Sequence, residues 1–174
     1  SAHFDRERKM HEQAMQREVI LGVDTHLDLH VGAVIDGAGK FLGTLATATN
    51  AVGYQQLIAW ARSLGHLHRA GVEGTGTYGS GLARALYEQG VEVFEVNRPD
   101  RSRRRLVGKS DPVDAESAAR SVLSGQATAI PKSHTGVAEA LRILAVARRS
   151  AVKARTQAIN QLRAILVSAP EEIR

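Results

Sequence analysis

Three apolar, strand-like runs stand almost end to end near the start of this chain: EVILGVD (18–24), HVGAVID (30–36) and KFLGTLATAT (40–49). The gaps between them are too short for a helix, so an antiparallel meander is expected. The second gap, DGAG, is a hairpin signal. Asn50 then stands as a helix cap. After it Tyr54, Leu57, Ile58, Ala61 and Leu64 recur at helical spacing until Gly65. RAGVE (69–73) reads as a fourth strand, GSGLARALYEQG (79–90) as a short helix closed by Gly90, and VEVFEV (91–96) as a fifth strand. The order βββαβαβ followed by a helix predicts an α/β fold, a mixed sheet with helices packed on it.

Ser110-Asp111-Pro112 predicts the next helix, with Asp111 at the N-cap and proline at the first helical position. It runs to about Ser124-Gly125, and GQATAIPKSHTG (125–136) is a linker by composition. From Val137 to Ala169 there is neither glycine nor proline. At ~1.5 Å per residue this makes one helix of roughly 50 Å, or two helices broken without a breaker. Its apolar positions Val137, Leu141, Leu144, Ala151, Ile159, Leu162 and Leu166 drift around a stripe interrupted by Arg148 and Arg155. Such a stripe needs a partner, most simply a second copy, so a homodimer or higher oligomer is expected. The organisation expected is a charged extension (1–17), a folded α/β domain (18–130) and a helical coiled-coil or dimerisation segment (131–174). The ending SAPEEIR supplies no finishing element, as expected of one piece of a longer protein.

The chain has no cysteine, which excludes disulfides and cysteine-based metal sites and fits a reducing compartment. No stretch approaches the roughly 18 apolar residues of a membrane span, and the charged first eighteen residues lack the apolar run of a secretory signal. Net charge is +5. Within 98–109, Arg98, Arg101, Arg103, Arg104, Arg105 and Lys109 stand against one acid, Asp100, an excess equal to the whole net charge. Arginines this dense repel one another unless phosphates neutralise them, so these six are the candidate nucleic-acid contacts. A second run, Arg142, Arg148, Arg149, Lys153, Arg155 and Arg163, reads equally well as a solvated helix face.

AGVEGTGTYGSG (70–81) holds G-x-G-x-x-G after an apolar run, and a further acid, Glu95, stands about twenty residues on, the outline of a dinucleotide fingerprint. The context contradicts it. Glu73 sits directly before the first glycine, where a pyrophosphate would be repelled, and the turn follows a meander and a helix rather than the first strand of a parallel unit. The glycines are better read as letting the backbone turn sharply and a polyanionic chain approach.

Four acids stand at element ends: Asp24 closing the first strand, Glu73 closing the fourth, and Asp111 and Asp114 opening the post-arginine helix, on one helix face. Taken singly, Asp111 and Asp114 can serve the helix N-terminus and Asp24 a turn. Glu73 at the end of an apolar strand faces desolvation unless a cation meets it. If the first and fourth strands are neighbours, the four carboxylates converge, and divalent cations would relieve their repulsion. Oxygen-only ligands suit Mg²⁺ or Mn²⁺. Two such ions about 3.5–4 Å apart can activate a nucleophile and stabilise the leaving oxygen in phosphodiester cleavage. A nucleic-acid-binding and dimerisation module with structural acids is the alternative class.

With those residues in place, the chain resembles the N-terminal RuvC-like (RNase H-like) domain of DEDD transposases of the insertion-sequence one-ten family, related to the Piv/MooV DNA invertases. The resemblance rests on GVDTHLDLHVGAVID with Asp24, GVEGTGTYGSGLARALYEQGVEVFEVNRPD with Glu73, and KSDPVDAESAA with Asp111 and Asp114. It covers roughly 18–130, and the helical region to 168 resembles the family's coiled-coil continuation. It implies an RNase H-like fold, a catalytic, metal-binding tetrad of Asp24, Glu73, Asp111 and Asp114 served by Mg²⁺ or Mn²⁺, and cleavage and joining of DNA strands of a mobile element. It also implies a bacterial cytoplasmic protein acting at the nucleoid, with structured RNA as a further partner in some members. Family members carry a serine nucleophile in a C-terminal domain with no counterpart among these residues, so full recombination is not expected of this chain alone. Ser80, Ser102 and Ser110 read as turn or capping residues. His26, Asp28 and His30 are expected at the surface rather than as ligands. Tyr54 and Trp60 read as core or rim, whereas Tyr78 and Lys109 divide evenly between nucleic-acid contact and solvent.

Overall fold

A computed structural model describes residues 17–97, 111–132 and 136–173. Residues 1–16 of the charged extension, the cations Arg98, Arg101, Arg103, Arg104, Arg105 and Lys109, and Ser110 lie outside the described residues. The chain divides into two compact units, residues 1–133 and 134–174.

The first unit is a five-stranded sheet with helices on both faces. The strands are β1 (Glu18–Thr25), β2 (Leu29–Asp36), β3 (Phe41–Ala48), β4 (His66–Glu73) and β5 (Glu92–Val96), in spatial order β3-β2-β1-β4-β5. β1–β2 and β2–β3 pair antiparallel, as the short gaps require, while β1–β4 and β4–β5 pair parallel. The β2–β3 turn closes on Asp36, whose Oδ1 accepts from the amides of Ala38 at 3.0 Å and Lys40 at 2.9 Å. Central β1 is buried on both faces, which is why its sequence is a nearly unbroken apolar run, whereas edge strand β3 is mostly open.

The helices are α1 (Ala51–Ser63), α2 (Ser80–Glu88) and α3 (Asp111–Leu123). Asn50 caps α1 as expected, its Oδ1 accepting from the Gly53 amide at 2.9 Å. α3 takes in Asp111, one residue earlier than the N-cap placement, a shift within the ordinary variation of helix ends. Strand alternation sorts the core into two layers. Val19, Leu21 and Val23 of β1 and Val72 of β4 pack with Leu57 and Ile58 of α1 and Leu82 and Leu86 of α2. On the other face Ile20 and Ile35 pack with Ala118, Ala119 and Val122 of α3.

The second unit holds α4 (Gly136–Ser168), a single unbroken helix of 33 residues, about 50 Å long at ~1.5 Å per residue. It is one helix, not two. None of its residues is buried, and apolar side chains such as Leu144 and Leu162 stand more than 60% exposed. No described helix is long and apolar enough to cross a membrane.

Candidate metal centre

Strands β1 and β4 end alike. β1 reads Gly22-Val23-Asp24 and β4 reads Gly71-Val72-Glu73. They run parallel with Val23 opposite Val72, so Asp24 and Glu73 are the next positions on neighbouring strands. Each valine enters the α1/α2 layer, and alternation therefore turns each glycine and each acid toward α3. The glycines are what allow α3 so close. A Cβ on Gly22 would collide with the Ala115 carbonyl oxygen and the Ala119 amide, and one on Gly71 would stand 2.8 Å from the Ala118 carbonyl oxygen. With Ala115 lying over Gly22, the first turn of α3 reaches the strand ends.

The result is a cluster at one end of the sheet. Asp24 and Glu73 are each 1% exposed. His26 Nε2 lies 3.0 Å from Asp24 Oδ2 and 3.6 Å from Asp111 Oδ1. One ligand atom from each of Asp24, His26 and Asp111 falls within 4.8 Å of the other two. Burial, the largest influence, holds the Asp24 carboxyl above its ordinary value; His26 draws it down, and Asp114 and then Asp111 push it up by charge repulsion. Asp114 is thus within electrostatic reach of Asp24 although it stands outside the three-residue group. Glu73 is also outside that group, at the adjoining strand end, where its carbonyl accepts from Thr25 Oγ1 at 2.9 Å and ties the two ends together.

Two histidines differ from their expected surface placement. His26 is only part-exposed because its turn is clamped: its amide donates to the Leu29 carbonyl, and its own carbonyl accepts from Thr49 Oγ1, both at 3.0 Å. His30 is fully buried, stacked on Tyr54 with ring centroids 5.5 Å apart, and burial lowers its pKa. The signal was available, since His30, Gly32 and Val34 alternate onto the α1/α2 face of β2. Asp28 is exposed, as expected. Tyr54 and Trp60 pack against the core, whereas Tyr78 stands 45% exposed beside the glycine turn.

That turn is partly closed on itself. The amides of Thr77 and Gly79 both donate to the Gly74 carbonyl, at 2.8 and 3.0 Å, and the Ser80 amide donates to the Thr77 carbonyl at 3.2 Å. These three donors are spent within the turn, and Glu73 directly before it disfavours a pyrophosphate there.

The donor set fits a divalent cation. A buried carboxylate with a raised pKa and two further acids beside it is costly when ionised, and a doubly charged ion removes that cost. The nearest donors are not oxygen-only: the His26 imidazole favours a transition ion such as Mn²⁺ more than a purely carboxylate set would. A search of curated proteins finds no match. The family model of the DEDD transposases of the IS110 type, described as "Transposase", matches residues 21–169, a span holding the paired strand ends, the four acids and the long helix. The chain therefore belongs to the IS110-type DEDD transposase family.

Proposed function

We propose that residues 18–130 form the catalytic domain of a transposase that cleaves and joins DNA strands of a mobile element at Asp24, Glu73, Asp111 and Asp114. The observation that carries this reading is the meeting of two matched strand ends with the acidic first turn of α3, where Asp24 is buried and its carboxyl pKa raised by desolvation and by neighbouring acids. Asp24 and Asp111 would share one Mn²⁺ or Mg²⁺ ion with His26, and Glu73 and Asp114 would complete the set for a second. Bound there, two such ions supply activation of the attacking oxygen and neutralisation of the leaving oxygen in phosphodiester transfer.

The protein's own part is positioning. Asp24 is fixed by the sheet and by the His26 contact at 3.0 Å. Glu73 is fixed by the parallel β1–β4 pairing. Asp111 and Asp114 arrive together, being on one face of one helical turn. Low exposure of Asp24 and Glu73 keeps bulk water from screening their charge.

In the sequence the cations Arg98, Arg101, Arg103, Arg104, Arg105 and Lys109 stand between Asn97 and Asp111. They would neutralise phosphates of DNA or of a structured RNA partner. Residues 131–174 are proposed as the dimerisation segment, the exposed apolar side chains of α4 meeting those of a second copy. Action on DNA would put the protein in the cytoplasm, at the nucleoid.

The test is metal binding. Wild-type protein should bind Mn²⁺, and Asp24→Asn or Glu73→Gln should weaken it by more than the roughly 10–100-fold that loss of an outer-shell partner costs. Titration calorimetry and the loss of free Mn²⁺ resonance signal would both report it. Unchanged affinity in both variants would instead leave a non-catalytic nucleic-acid-binding and dimerisation module.

A further inference from the structure

The glycine turn and Glu95 take no part in the site above, yet the fold brings them together. A cleft of about 480 Å³ is lined by Gly74, Thr77, Tyr78, Glu95, Val96 and Asn97. It adjoins the acids directly: Gly74 follows Glu73 in the chain, and Glu73 pairs in register with Val96. Its volume falls within the ~300–1,000 Å³ of small-ligand sites, enough for one nucleotide unit.

The lining chooses the ligand. The amides of Thr77, Gly79 and Ser80 donate within the turn, and a phosphate in the cleft would face the Glu95 carboxylate. The cleft offers a carboxylate and a carboxamide beside the exposed ring of Tyr78. Glu95 is held at the end of β5, its amide donating to the Ala129 carbonyl at 2.7 Å, and among the described residues no cation pairs with its carboxylate. An ionised carboxylate can only accept hydrogen bonds, so the group facing it must donate. Among pyrimidines, cytosine presents an amino group at that edge, where thymine and uracil present a carbonyl oxygen that would meet lone pair with lone pair. Asn97 can both donate and accept, and so can serve the ring atoms beside the amino group.

We infer that this cleft takes one unstacked nucleobase bearing an exocyclic amino group, its ring on Tyr78 and its amino group on Glu95, from the strand whose phosphate lies at the acids. The inference rests on the strand-cutting reading and adds to it a base-reading subsite one residue beyond Glu73. A base held there fixes where the adjoining phosphate falls, so Tyr78 and Glu95 are positioning residues.

The experiment measures binding of labelled single-stranded oligo(dC), oligo(dT), oligo(rC) and oligo(rU) to the full chain with Mn²⁺, by fluorescence anisotropy at mildly alkaline pH. Wild type should prefer dC to dT and rC to rU by about tenfold. Glu95→Gln should bring C and T to near parity, because an amide can donate to the carbonyl that a carboxylate repels. Tyr78→Ala should weaken all four by about tenfold, and Tyr78→Phe should restore them. Mn²⁺ affinity and circular dichroism should stay unchanged in every variant, since none touches a proposed metal ligand. Equal binding of C and T by wild type, or a preference that survives Glu95→Gln, overturns the inference. So does a preference that follows the sugar and ignores the base. Failure of the catalytic reading would look different: wild type would bind no Mn²⁺, while the base preference would still stand or fall on its own.

Discussion

The two faces of the sheet are built to different ends. The face under α1 and α2 is filled with large branched side chains, among them Leu21, Leu57, Ile58, Leu82 and Leu86, all essentially inaccessible. The face under α3 is thin. Its helix contributes Ala115, Ala118, Ala119 and Val122, and the strands meet it with Gly22 and Gly71. Apolar burial contributes on the order of 25 cal/mol per Å², so the first face supplies most of the stability. The second gives up burial for closeness, and closeness is what puts the first turn of α3 against the ends of β1 and β4. One face holds the fold; the other sets the geometry of the acids.

Substitutions on the two faces should therefore separate stability from metal affinity. The largest loss of stability is expected on the thick face. Leu57→Ala removes a fully buried side chain and should cost about 2–5 kcal/mol in urea unfolding. The folded fraction should still bind Mn²⁺ as wild type does. Gly22→Ala adds one methyl where Ala115 and Ala119 leave no room, and overpacking of this kind costs about 1–3 kcal/mol. Here metal affinity should fall out of proportion to stability, because α3 must lift and carry Asp111 and Asp114 away from Asp24. If both variants kept wild-type affinity, the thin layer would have no special link to the acids.

Much of this contrast was legible in the residues themselves. The meander, the Asn50 cap and the helical stretch after residue 136 follow local patterns, and local patterns are what a sequence displays directly; that this stretch is one helix and not two came from the structure. The adjacency of β1 and β4 entered only as a condition, because which strands pair across a sheet depends on the connection through α1. Gly22 and Gly71 belong to a repeated Gly-Val-acid triplet whose purpose shows only with the helix that returns over it. His26 was the hardest. Two residues past Asp24, in a turn, its direction is set by Thr49 and Leu29, and its second partner, Asp111, lies 85 positions along the chain. The placement of Glu95 was obscured for another reason: its spacing from the glycines suggested a dinucleotide site, and the pairing of β4 with β5 gives the same spacing a different neighbour.

The smallest effect expected on the thin face has the opposite sign. Burial, chiefly, raises the Asp24 carboxyl above its ordinary 3.8 in the folded, metal-free protein. Below that ordinary value Asp24 is protonated in both states and costs nothing. As pH rises from 3.8 through the raised folded value, the folded state retains a proton that the unfolded state has lost, so stability falls with pH across that window and stays lowered above it. Asp24→Asn carries no such charge. In chelator at neutral pH the variant should unfold at a slightly higher temperature than wild type, and the gap should close as pH drops below the window. Excess Mn²⁺ should reverse the order, because only wild type gains from binding, by about 2.7 kcal/mol when the free ion stands at ~100 times its dissociation constant. A wild type more stable than Asp24→Asn without metal would mean that His26 alone compensates the buried charge, and the thin face would then need no ion to hold its acids together.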